Sequence, residues 1–94
     1  MPEANFEPKG PISVKEAVDS VKRFITEVFG SDQLRHTSLE EVELEPITGG
    51  AWLITMSFSS PGAVAILGNA PRDYKMFRVH ARTGQVQSMK IKKA

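Results

Sequence analysis

His36 and His80 are the two side chains of this 94-residue chain best suited to moving a proton or holding a metal near neutral pH. Neither belongs to an HExxH or comparable ligand spacing. The chain contains no cysteine, which removes thiolate nucleophiles, zinc–thiolate sites and disulfides. Ser57, His80 and Asp73 supply the residue types of a nucleophilic triad, but no Gly-x-Ser-x-Gly elbow accompanies them. Carboxylates gather in the run Glu40–Glu45, where alternation with Val42 and Leu44 explains them as one solvated face of a strand rather than as an acid–base pair. Thr48–Gly50 and Gly62–Gly68 lack the Lys-Ser/Thr step of a phosphate loop, and neither opens a predicted helix. The residues therefore assign no catalytic group, no metal site and no cofactor, and the expectation is a protein that is not an enzyme.

Charge narrows the partners. Twelve Lys and Arg stand against eleven Asp and Glu, a net charge of +1 with histidine neutral, so no bulk attraction to nucleic acid or anionic membrane is expected. Lys75, Arg78, Arg82, Lys90, Lys92 and Lys93 cluster late in the chain, but Tyr74 is the one aromatic expected on that face of the sheet, whereas stacking platforms for nucleic acid use several. No apolar run approaches the ~20 residues that cross a bilayer as a helix. The N-terminal MPEANFEPKGP lacks the basic and apolar regions of a secretory signal, which gives a cytoplasmic expectation.

The elements that position these residues follow from periodicity. Residues 1–12, with three prolines, read as a flexible tail, and 13–94 as one domain. Ser13 with Glu16 three residues later has capping-box spacing. Behind it Val14, Ala17, Val18, Val21, Phe24, Ile25 and Val28 form one helical stripe that ends at Gly30. Ser31–Ser38 reads as a polar connection, with Leu34 placed to tuck under the sheet.

Glu40–Glu45 is a strand closed by Pro46, and its outward carboxylates and proline mark it as an edge. Thr48-Gly49-Gly50 turns the chain into Gly50–Ser59, where Trp52, Ile54, Met56 and Phe58 share one face and Leu53, Thr55 and Ser57 the other. Residues 60–72 are a loop with an apolar centre, Ala63–Leu67. Asp73–Arg82 and Val86–Lys92 are the third and fourth strands, joined through Gly84 with a bulge that brings Val86 and Met89 into phase. Together these predict an α+β domain, one N-terminal helix packed on one face of a four-stranded antiparallel meander sheet.

The helix-free face is the place for function. It grades from Glu41, Glu43 and Glu45 on the first strand to Lys90 and Lys92 on the fourth. Leu53, Tyr74, Met76, Arg78, His80 and Arg82 on its middle strands mix apolar and basic character, the composition of a protein-binding surface. The expected partner is an unidentified protein or a second copy of the chain, as a homodimer. The alternative is a small ligand-binding protein or enzyme with a pocket between the helix and the 60–72 loop.

The order of helix, strands and Thr-Gly-x-Val hairpin, carried by Val79, Ala81, Thr83, Gly84 and Val86, resembles the PepSY-type module. That resemblance implies a non-catalytic module, in some members linked to peptidase inhibition, and transfers no catalytic residue. His80 stands where that family often has an acidic residue, and the family is mostly exported or membrane-tethered. The helix and Trp-bearing antiparallel sheet are also similar to small bacterial immunity proteins.

Overall fold

The computed structural model describes residues 11–59 and 72–92. The apolar centre of the 60–72 loop and residues 1–10 of the expected tail lie outside the described residues. Helix α1 spans Val14–Phe29 and a single-turn helix α2 spans Ser31–Leu34. Four strands follow: β1 Thr37–Leu44, β2 Ala51–Phe58, β3 Asp73–His80 and β4 Val86–Ile91. They form one antiparallel sheet in the order β1-β2-β3-β4, with α1 packed across β2, β3 and β4. The α+β meander expected from the periodicity is the fold.

Local chemistry sets the helix ends. Ser13 Oγ accepts from the Glu16 amide at 3.1 Å, and the Ser13 amide donates to Glu16 Oε1 at 2.9 Å, so the capping box satisfies two otherwise unpaired backbone donors. At the other end the Gly30 amide donates to the Thr26 carbonyl with φ at 97°, a conformation that favours glycine. The connection after Gly30 is more structured than its polarity suggests. Ser31–Leu34 closes one helical turn, the Thr37 hydroxyl donates to the Leu34 carbonyl at 2.7 Å, and β1 starts at Thr37.

The core joins one stripe of α1 to the inner face of the sheet. Ala17, Val18, Val21 and Ile25 meet Ile54, Met56, Phe58, Phe77 and Val79, with Phe24, Leu34, Val42, Trp52 and Met89 at the margin. Phe77 is its aromatic hub, edge-on to Phe24 at 5.9 Å and stacked with Phe58 at 6.4 Å between ring centres. The stripe is shorter than the periodicity predicts, because Val14 and Val28 at the two ends of α1 are exposed. One helix also cannot roof four strands. Leu39 and Ile91 face the helix side by register, yet they sit on the edge strands β1 and β4 and remain exposed.

Trp52 lies on the core face as expected but is only half-buried. Its indole N–H donates to the Ile12 carbonyl at 3.0 Å, while the Ile12 amide donates to the Ala81 carbonyl at 2.6 Å. Ile12, placed by the sequence at the end of a flexible tail, is thus fastened to β2 and to the turn that follows β3. Trp52→Phe keeps most of the ring packing and deletes this donor, and is expected to cost about 1 kcal/mol in urea unfolding. Hydrogen exchange of the Ile12 amide should accelerate in the same variant. Unchanged exchange there would show that the indole does not anchor the N-terminal segment.

Candidate functional site

The helix-free face is built by register. Leu53, Thr55 and Ser57 of β2 stand opposite Arg78, Met76 and Tyr74 of β3, and Met76 and Arg78 stand opposite Lys90 and Ser88 of β4. On β1, Glu41 and Glu43 face Thr55 and Leu53. Four expected partner-binding residues, Leu53, Tyr74, Met76 and Arg78, therefore share this face, each half-buried.

Arg82 does not sit as expected, and His80, on this face by register opposite Ala51, has its ring committed to a turn. Arg82 lies beyond the end of β3, exposed in the turn, because the chain leaves the ladder at His80. His80 remains on the strand, but its ring serves that turn. Nδ1 accepts from the amides of Arg82 at 3.1 Å and Thr83 at 3.2 Å. Gly84 completes the turn with φ at 77°. There a Cβ would come within 3.3 Å of Ser20 Oγ and 3.5 Å of Ile12 Cδ1.

The acidic and basic sides of the face reach each other across β2. Arg78 donates to Glu45 from both terminal guanidinium nitrogens, at 3.0 and 3.1 Å, and its Nε donates to Gln87 at 3.2 Å. Because the Glu45 amide bonds to the Ala51 carbonyl, this bridge crosses β2 between Ala51 and Leu53. Lys92 Nζ meets Glu41 Oε1 at 3.0 Å, although about three inter-strand spacings of ~4.8 Å separate β1 from β4. The two side chains span that distance by lying along the face. The bidentate Arg78 contact, helped by the Thr48 hydroxyl, holds the Glu45 carboxyl below its ordinary 4.5, and the same pairing raises Arg78.

A β-bulge adds residues that alternation hides. The register shifts between Leu39 and Glu41, so Glu40 turns to the same face as Glu41. Glu40 Oε2 accepts from Ser57 Oγ at 2.7 Å, and Ser57 Oγ accepts from Arg72 Nε at 2.9 Å and Nη2 at 2.7 Å. Arg72 also reaches Ser38 Oγ at 3.2 Å. Ser57 is fully buried under this network despite facing away from the helix. Beside it lies a depression of about 330 Å³ lined by Glu40, Glu41, Thr55, Tyr74 and Lys92. The sequence carried one sign of the bulge, since the apolar steps from Leu39 to Val42 to Leu44 change from three to two. Nothing in the sequence pointed to Arg72.

The triad types are not brought together. His80 pairs with Ala51 at one end of β2, Ser57 pairs with Tyr74 near the other end, and Asp73 belongs by register to the helix-side face. His36 is at the Ser59 end, where its carbonyl accepts from the Ser59 amide, so the two histidines mark opposite ends of the sheet. Among the described residues no group of three His, Asp or Glu side chains is placed to hold a metal ion, and no helix is long and apolar enough to cross a membrane. No protein-family model, curated protein or solved structure matches this chain.

Two outcomes test this geometry. Glu45 has a depressed carboxyl, so its pair with Arg78 contributes stability that is present at neutral pH and is lost as pH falls through that depressed value. Glu45→Gln should flatten the acid limb of a thermal-stability profile; an unchanged acid limb would mean that the pair does not persist in solution. Separately, His80→Leu leaves two turn amides without their acceptor and is expected to cost about 1 kcal/mol, with His80→Asn recovering much of it. Equal loss in both variants would assign the effect to ring packing instead.

Proposed function

We propose that this chain is a non-enzymatic interaction module that engages a protein partner, or a second copy of itself, through the helix-free face of its sheet. One observation carries the reading. Leu53, Met76 and Tyr74 form a half-buried apolar strip on that face, with the Arg78–Glu45 ion pair at its Leu53 end and the Lys92–Glu41 pair crossing it near Tyr74. Interface centres combine aromatic, Met and Arg side chains inside a polar rim. Here the charges of the rim are matched within the chain, so docking a partner does not require each of them to find a new counter-charge. The PepSY-like element order and its lack of catalytic residues support the same reading, and the absence of cysteine suits a cytoplasmic setting.

Self-association has a specific geometry in its favour. The face is acidic along β1 and basic toward β4. Two copies stacked about a two-fold axis parallel to the strands would lay each acidic edge over a basic one.

The cysteine-free background makes the test site-specific. Met76→Cys and Lys22→Cys each introduce one thiol, the first on the sheet face and the second on the exposed side of α1. Each can carry a benzophenone cross-linker. Adducts are expected from position 76 and not from 22, their mass distinguishing a second copy from another protein. Equal adduct yields from both positions would contradict the assignment of this face.

A further inference from the structure

The depression at the β1 end of the helix-free face has more definite chemistry than the rest of that surface. It is lined by Glu40, Glu41, Thr55, Tyr74 and Lys92. The bulge after Leu39 is what sets two consecutive carboxylates on one face. Thr55 is only 5% exposed, yet its hydroxyl makes no hydrogen bond among the described residues. A hydroxyl this shielded is ordinarily paired, and Thr55 lines the depression, so a polar group held there would supply the partner.

The charges present select the ligand. Glu40 spends one oxygen on Ser57, and Glu41 spends one on Lys92, which leaves an acceptor oxygen on each. Arg72 is engaged by Ser57 and Ser38 rather than by either carboxylate. An anion would meet two carboxylates. A divalent cation would find two acidic ligands, one of them already paired with an ammonium, fewer than the oxygen-rich sites such ions take. A primary ammonium has three donors, which match in number Glu40, Glu41 and the Thr55 hydroxyl. The wall already binds this group, since Lys92 Nζ lies 3.0 Å from Glu41.

We propose that this depression is a socket for a primary ammonium group, contributed by a lysine side chain of a partner or by a small free amine, and that Lys92 is its internal competitor. The inference rests on the interaction reading above for the lysine source, and on the cavity alone for its chemistry.

The test is a titration of the intact chain followed by amide and methyl NMR. The probes are Nα-acetyl-lysine methylamide, n-butylamine, and Nα-acetyl-norleucine methylamide as the control without an ammonium. Both amines should produce saturable shifts centred on Glu41, Thr55 and Tyr74, and the norleucine control should not. Tighter binding of the lysine derivative than of butylamine points to a peptide source, and the reverse to a free amine. Lys92→Met should tighten binding about tenfold by removing the competitor, while Glu40→Gln with Glu41→Gln should weaken it at least about tenfold. Saturable binding with a failed cross-link at position 76 would overturn the protein-partner reading and leave the socket standing. The socket is overturned if the norleucine control shifts the same residues, if neither amine gives saturable shifts, or if Lys92→Met weakens binding.

Discussion

Strand β2 is sheltered on both faces, and the rest of the structure follows from how each face is closed. On one side Ile54, Met56 and Phe58 lie under α1 in the usual two-layer arrangement. On the other side no second layer exists among the described residues, yet Thr55 and Ser57 are almost completely shielded. The cover is made of long charged side chains from the neighbouring strands and the residues that flank them. They lie along the sheet because β2 presents short side chains between β1 and β3. Small residues in the middle and long ones on either side turn a flat sheet face into a shallow trough with ionic walls.

That arrangement gives near-zero net charge a structural meaning. The acidic and basic residues are segregated by strand and then joined across the sheet, Glu45 to Arg78 and Glu41 to Lys92. Individually such exposed pairs contribute little to stability. Their effect here is positional: they hold the long side chains of Arg78 and Lys92 down along the sheet and leave Leu53, Met76 and Tyr74 as the apolar strip beside them. The bulge at Glu40 adds the one break in this pattern, a recess with two carboxylates and an unpaired hydroxyl.

Much of this architecture was legible in the sequence because period-two and helical patterns are strong in a small two-layer domain. The capping box at Ser13 and Glu16, the alternation of β2 and the Thr83-Gly84 hairpin are local signals and report local structure. The features that escaped depend on register or on distant partners. Alternation cannot show that Leu39 and Val42 share a face across a bulge, nor that Ser57 is buried by Glu40 and Arg72 from two other segments. His80 reads as a surface strand residue because its acceptor role exists only once Arg82 and Thr83 turn back over the ring. The exposed ends of the α1 stripe, Val14 and Val28, reflect the reach of the sheet beneath, which periodicity does not encode.

The most direct measurement of the two-sided shelter of β2 is solvent paramagnetic relaxation of side-chain methyl groups with a neutral gadolinium chelate. The Thr55 methyl faces away from α1, so in an ordinary one-layer sheet face it would relax as fast as the exposed Val28 methyls. The structure predicts that it is protected to nearly the degree of the Ile54 methyls in the core. Relaxation of Thr55 at the Val28 rate would contradict the account, because it would mean that the charged side chains do not close over the strand in solution.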